Sequence, residues 1–264
     1  MKKYYDPINN RLLYYNQSAN PEFWDKHWKT DDLLKSIQQS KNRFIVKTTR
    51  TFLPENASVI DGGCGKGDKV YALHCAGFKA YGVDFADNTV KLINQLVPEI
   101  NVSFNDVRHL DFPDHFFDGY WSLGVIEHFY NGFDDIVDEI NRVLRPGGYL
   151  FLTVPLMSKF RQYLAKKKNY PYISDLKNEK DSFYQFAYPF EFINKAITDR
   201  GFVLLKYKSI EGVKGFKDEI KSFKKIFQWI YDHPALPIKA LKMALDYLMS
   251  PLTGHMGFYI FVKQ

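Results

Sequence analysis

Three short runs of this 264-residue chain hold the residues whose types and spacing could do chemistry. The first is Val59-Ile60-Asp61-Gly62-Gly63-Cys64-Gly65-Lys66-Gly67, an acid led in by two β-branched residues and followed by four glycines. Glycine takes positive φ and lets a ligand approach the main chain closely. A helix starting at Asp68-Lys69-Val70 would offer unpaired N–H groups to a carboxylate or phosphate. The second is Asp84, 23 residues beyond Asp61. That interval holds one helix and one strand, which puts both acids at the carboxyl edge of neighbouring strands. An acid there can accept two hydrogen bonds from ribose hydroxyls. The third is Glu127-His128, directly after the apolar run Phe117–Gly124. A carboxylate and an imidazole at a strand end can move a proton, or can serve as satisfied structural groups.

The glycine run narrows the ligand by elimination. A dinucleotide fold needs G-x-G-x-x-G, and Asp68 stands where the third glycine after Gly63 and Gly65 belongs. A phosphate loop needs G-x-x-x-x-G-K-[ST], and Lys66 is followed by Gly67. What remains, D-x-G-x-G-x-G after a strand, resembles motif I of the class I S-adenosylmethionine-dependent methyltransferases. Two further pieces are similar to that family: the Leu144-Arg145-Pro146-Gly147-Gly148 turn, and Ile126-Glu127-His128-Phe129, which looks like its small-molecule branch and the ubiquinone-pathway O-methyltransferases. The segment Trp24-Asp25-Lys26-His27-Trp28 is similar to an aromatic piece that many such enzymes carry ahead of motif I.

The resemblance implies S-adenosylmethionine as cofactor and no metal. Asp61, Gly62, Gly63, Cys64 and Gly65 would wrap its methionine end, and Asp84 with Phe85 would meet the ribose. Asp106 and Val107 would bracket adenine, and Leu123 would line the same site. Trp24, Trp28 and Tyr188 would face the acceptor, with His128 as base and Glu127 orienting it or the substrate. No N/D/S-P-P-Y/F/W motif occurs, which argues against methylation of a nucleobase amine. The expected activity is methyl transfer to a small, acidic or amphiphilic acceptor, with oxygen favoured over nitrogen. The alternatives are an RNA methyltransferase and a non-catalytic cofactor-binding adaptor.

The elements that must position these residues follow from periodicity and turn chemistry. The expected fold is a single α/β domain over 1–264, with a Rossmann-like, seven-stranded, mostly parallel sheet. Helices cover both faces, one strand is antiparallel, and the family's strand order is 3-2-1-4-5-7-6. Residues 1–30 carry Pro7 and Pro21 without a sustained period and predict an irregular arm with short helical turns. Trp24 and Trp28 lie on one helical face there, and one or two helices follow over 31–52. Arg43 and Arg50 fall on that stretch and suit a solvated helix face. Residues 156–186 and 211–254 predict insertions. The second is long enough for two helices, one of them Asp218–Tyr231 with lysines opposite an apolar face.

Composition sets the outer bounds. A hydrophobic content of 45% and a charged content of 25% are ordinary for a soluble globular chain. No apolar run has the length of a membrane span, and the start has no signal-peptide pattern. Cys64 and Cys75 are too few for a disulfide framework, so a reducing cytoplasm is the expected compartment. The net charge of +6 is uneven: residues 157–185 carry +4 and residues 212–250 carry +3, which leaves −1 for the rest. Such charge suits an anionic small molecule, peripheral contact with an anionic membrane, or RNA. RNA fits least, because no recognisable RNA-binding module accompanies it.

Overall fold

The computed structural model describes residues 1–16, 19–28, 32–40, 42–175 and 182–264. Residues 176–181 of the expected first insertion, and 17–18 and 29–31 around the expected arm, lie outside the described residues. The chain opens with a hairpin of β1 (Lys2–Asp6) and β2 (Arg11–Tyr15). Asp6 shapes its turn, accepting from the N–H groups of Ile8 and Asn9 and from Arg11 Nε. Helices α1 (Pro21–Trp28), α2 (Leu33–Gln38) and α3 (Arg43–Phe52) follow. Asn20 accepts from Phe23 N–H at the start of α1, and Asp32 from Lys35 N–H at the start of α2, the usual N-cap arrangement.

The central sheet begins at β3 (Ser58–Gly62) and runs through α4 (Asp68–Cys75), β4 (Lys79–Asp84), α5 (Asp87–Leu96) and β5 (Asn101–Phe104). It continues with β6 (Phe117–Leu123), α6 (Asp134–Val143) and β7 (Leu144–Pro155). Then come α7 (Lys159–Lys166), β8 (Phe183–Ala187), α8 (Phe190–Thr198) and β9 (Phe202–Ile210). The last elements are α9 (Gly212–Lys217), α10 (Lys224–Asp232), α11 (Leu236–Thr253) and β10 (Met256–Lys263).

Seven strands pair in the order β5-β4-β3-β6-β7-β10-β9. Counted along this sheet alone, that is the expected 3-2-1-4-5-7-6, and β10 is the antiparallel member against both β7 and β9. Successive side chains point to opposite faces of a strand, so each central strand feeds two cores. Ile60, Tyr120, Leu150, Leu152, Tyr259 and Phe261 pack toward α6 and α8. Val59, Trp121, Phe151, Phe258 and Ile260 pack toward α2, α3, α4 and α5. A sheet covered on both faces explains the near-continuous apolar runs of β6 and β7.

Two expectations are corrected. Residues 2–15 are not an irregular arm: β2 also pairs with β8, Leu12 opposite Ala187, to make a second, three-stranded sheet. Leu12, Leu13, Tyr14 and Tyr15 are all buried, because β2 packs on the main core by one face and on α7 by the other. That double burial leaves no polar–apolar alternation to find, and the partner strand is distant in sequence. The second insertion forms three helices instead of two, and the expected helix Asp218–Tyr231 is broken at its start. There the Glu219 carboxylate turns inward to Arg161 Nε, Lys3 Nζ and Tyr170 Oη, each within 2.9 Å.

The first turn of the glycine run leaves no room for a side chain at its lead position. A Cβ on Gly62 would collide with the Tyr120 hydroxyl and ring, which are themselves locked in the core. Gly62→Ala should therefore destabilise the fold by about 1–3 kcal/mol through overpacking. Chemical denaturation checks this, and a midpoint equal to that of the parent chain would show that Tyr120 can yield.

Candidate functional site

A cavity of about 750 Å³ opens at the carboxyl edge of the main sheet, where ligands gather in open α/β folds. The size is that of a small-molecule site. Its walls include Gly63 and Lys69 after β3, Asp84 and Phe85 after β4, and Asp106, Val107 and Arg108 after β5. Leu123, Glu127 and His128 come from the end of β6, Trp24 and Trp28 from α1, and Tyr184 from β8. Lys214 of α9 and His255 close the far end.

The glycine loop is pinned by its neighbour strand. Asp84 Oδ2 accepts from Gly65 N–H at 2.7 Å and Oδ1 from Ala86 N–H at 2.9 Å. Burial pushes the Asp84 carboxyl up against these bonds. Gly63, Gly65 and Gly67 all have positive φ, and Gly65 is also crowded from outside. A Cβ there would lie 2.7 Å from the Trp28 indole. Of the five loop residues expected to touch a cofactor, Gly63 lines the cavity directly. The Cys64 side chain points away into the core, against Gly82, and burial raises its thiol well above the usual range. Asp61 lies beneath the loop, fully buried, and neither carboxylate oxygen has a partner. Burial lifts it to about 7, with Lys69 opposing the shift. Lys69 in turn is pushed down by burial, but the charges of Asp61 and Asp68 outweigh that and raise it.

Helix α1 lies across the mouth. Trp24 and Trp28 stack with centroids 5.7 Å apart, and Trp24 meets His128 edge-on at 5.1 Å. Asp25 ties the helix down, accepting from Thr89 N–H and Oγ1 at 2.9 Å and from Asn88 Nδ2 at 2.8 Å. Asp25 thereby caps the start of α5, while Asp87 pairs with Lys91. Asp106 reaches the cavity, but both its oxygens already accept from the Arg108 side chain, which holds its carboxyl below the usual range.

Glu127 and His128 stand side by side in sequence and do not bond to each other. His128 Nδ1 lies 2.6 Å from the Tyr184 carbonyl. A carbonyl can only accept, so Nδ1 carries the proton in the neutral ring and Nε2 keeps its lone pair. Burial lowers His128 to about 4, although the Tyr184 and Gly124 carbonyls favour the charged ring. Glu127 is buried, its Oε2 has no partner, and burial lifts it to about 8. The expected orienting role of Glu127 toward His128 is therefore taken by Tyr184, whose strand β8 the sequence did not predict.

Tyr188 does not reach the cavity. It is buried between Phe133 and Phe192, stacked on Phe192 at 5.1 Å. It belongs to the core because the strand pairing of β8 carries it under α8, away from the sheet's carboxyl edge. Sequence reasoning missed Lys69, Arg108, Tyr184, Lys214 and His255. Lys69 and Arg108 sit within two or three residues of recognised motifs and were within reach. Lys214 and His255 meet only through the packing of α9 against the start of β10, which has no local signal.

Residues 60–152 match a family model described as a methyltransferase domain. A protein of Mycolicibacterium smegmatis named as a probable S-adenosylmethionine-dependent methyltransferase is 29% identical over 97 residues, 37% of each chain. The 2-methyl-6-phytyl-1,4-hydroquinone methyltransferase of Synechocystis is 30% identical over 132 residues, 47% of this chain and 41% of that one. The matches thus span about two fifths of these relatives' own length. The fold is similar to that of phosphoethanolamine N-methyltransferase 2 of Haemonchus contortus, solved with S-adenosyl-L-methionine. The TM-score is 0.53 at 17% identity, over 92% of this chain and 59% of that one.

The raised Glu127 carboxyl has a measurable consequence for stability. From the ordinary glutamate range near 4.3 up to about 8, the folded chain keeps a proton that the unfolded chain has lost. Stability attached to this group is therefore present at low pH and lost as pH rises through that window. Glu127→Gln, which cannot ionise, should melt higher than the parent chain at pH 8, with the gap shrinking toward pH 5. Parallel melting curves across that range would remove Glu127 from the pH dependence.

Proposed function

We propose that this chain is a class I S-adenosylmethionine-dependent methyltransferase that transfers a methyl group to a small, partly apolar and acidic acceptor, oxygen favoured over nitrogen. The observation that carries this is the single cavity wall running from the glycine loop and Asp84 to Glu127 and His128. One end has groups for an adenosine and an amino acid, and the other has groups for proton transfer.

The residues present fit such a donor. Asp84 keeps lone pairs beyond those given to Gly65 and Ala86, and they can accept from ribose hydroxyls. Val107 and Asp106 flank the adenine position, with Arg108 giving up or sharing the carboxylate. Asp61 has two orphaned oxygens beneath the loop and Lys69 a half-buried ammonium on the cavity wall, a pairing suited to the amino and carboxylate groups of the methionine end. Bound S-adenosylmethionine supplies a methyl group already activated by its sulfonium.

What remains for the protein is alignment, exclusion of water and handling of a proton. Orientation of two reactants can be worth about 7–11 kcal/mol, and the stacked Trp24 and Trp28 cover the mouth. A positioned base adds ~10²–10⁴-fold when its pKa lies near the working pH. Glu127, at about 8, meets that condition better than His128, at about 4. His128 Nε2 then accepts the acceptor's hydrogen bond and aims the nucleophile, while Glu127 takes the proton. At the far end Lys214 and the Nε2 side of His255 suit an acidic group of the acceptor. Arg161 Nη2 lies 3.1 Å from His255 Nδ1, which makes that nitrogen the hydrogen-bond acceptor. Of the lysines in the second insertion, Lys214 lines the cavity, an arrangement that favours a compact anion over an RNA strand.

Calorimetry should detect binding of S-adenosylmethionine and none of NAD. Asp84→Asn should weaken that binding at least about tenfold, the equivalent of one charge-assisted hydrogen bond. Unchanged affinity would take Asp84 off the ribose. With an acceptor found by labelled-methyl transfer into a cell extract, turnover should rise with pH through about 8 and level off. Glu127→Gln should abolish that rise and lower turnover about 10²-fold, while His128→Gln should lower turnover and leave the midpoint in place. A surviving limb near pH 8 in Glu127→Gln would assign the proton to another group.

A further inference from the structure

Helix α11 is built inside out. Its one acid, Asp246, faces inward, accepting from Val213 N–H at 2.9 Å and from Lys242 Nζ at 3.0 Å. Ser250 Oγ accepts from Gly212 N–H, and the Thr253 hydroxyl donates to the Gly212 carbonyl, so these polar groups also point at α9. The outward side is apolar. Leu236 is 80% exposed, Met243 73% and Leu248 69%, with Leu241, Tyr247 and Leu252 beside them. Lys239 is the one charged residue among the exposed positions of this helix. The neighbouring α10 and the turn before it add Phe223, Ile226 and Trp229 to the same exposed set. Nine large apolar side chains exposed within 30 residues exceed what a monomer surface carries without a partner.

Charge and residue type select the partner. Residues 220–252 hold five lysines and two aspartates, and Lys225 and Lys239 lie exposed among the apolar side chains. A twofold contact between copies would set one net-positive patch against another. An anionic bilayer complements it: lysine stems run along apolar surface with the ammonium at the headgroups. Tryptophan and tyrosine, here Trp229 and Tyr247, favour the membrane–water boundary. Among the described residues no helix is long and apolar enough to cross a membrane, so the helices would lie in the interface plane. We propose that the outward face of α10 and α11 docks this protein on an anionic lipid bilayer. The docking face backs directly onto α9, which carries Lys214 into the cavity wall. The basic end of the site is then held beside the headgroup layer. The docking itself does not depend on which acceptor is methylated.

Flotation of the full chain with vesicles tests this. The parent chain should float with phosphatidylcholine–phosphatidylglycerol vesicles, far less with phosphatidylcholine alone, and progressively less as salt rises. Leu241→Glu with Leu248→Glu should abolish flotation while leaving the circular dichroism and S-adenosylmethionine binding unchanged. Lys225→Glu with Lys239→Glu, which leaves the apolar side chains in place, should weaken partition at least about tenfold, since each lysine near the surface contributes a roughly fivefold attraction. Absence of the parent chain from anionic vesicles would overturn the proposal. So would a parent chain that sediments as a dimer that Leu241→Glu with Leu248→Glu splits, because the patch would then be an interface between copies.

Discussion

The bond from Gly65 N–H to the Asp84 carboxylate, 2.7 Å long, is the constraint on which the rest of the site depends. It joins the loop after β3 to the end of β4 and fixes the path of a glycine-rich segment that has almost no side chains of its own to hold it. Such a segment loses more conformational entropy on ordering than any other, so it needs an anchor from outside. Asp84 supplies that anchor and still presents lone pairs to the cavity. The tight approaches of Tyr120 to Gly62 and Trp28 to Gly65 follow from the same fixed path. The loop is closed in from both sides, and only a residue without Cβ can occupy either position.

Around this frame the cavity divides by charge. Asp61 and Glu127 are buried carboxyls without hydrogen-bond partners for three of their four oxygens, and burial drives both toward the neutral form. Leaving such groups unsatisfied is costly in a fold that needs only stability, and perturbed acids of this kind cluster at functional sites. At the opposite end Arg161, Lys3, Lys214 and Lys217 all push the His255 imidazole toward its neutral state, after burial itself. With Glu127 on the wall and these cations behind His255, the site has a built-in direction for its ligands.

The peripheral pieces are tied together by one buried ionic cluster. Arg161 and Glu219 are nearly inaccessible, bonded at 2.8 Å, and joined by Lys3 and Tyr170. These residues come from β1, the first insertion and the second insertion. Replacing such a cluster by apolar residues can be neutral for stability, but removing one partner strands a buried charge. Its contribution is better seen as register: it places the second insertion so that α9 reaches the cavity while α10 and α11 turn their apolar sides out.

Local chemistry was enough to settle much of this protein from its sequence. The glycine run, the strand-end acid Asp84 and the apolar runs of the central strands depend on neighbours in the chain. The positions of the central strands were legible for that reason, and their order in the sheet followed from the family resemblance. The hairpin at residues 2–15, by contrast, is held by a strand more than 160 positions away, and its double burial erases the pattern that would reveal it. The same distance hid Tyr184 as the partner of His128 and carried Tyr188 into the core. The upward shift of Glu127 and the downward shift of His128 come mainly from burial, and burial is a property of the packed molecule. So is the outward apolar face of α11. In sequence it reads as one more helix, and only the contacts of Asp246 and Ser250 with α9 decide which side meets the protein.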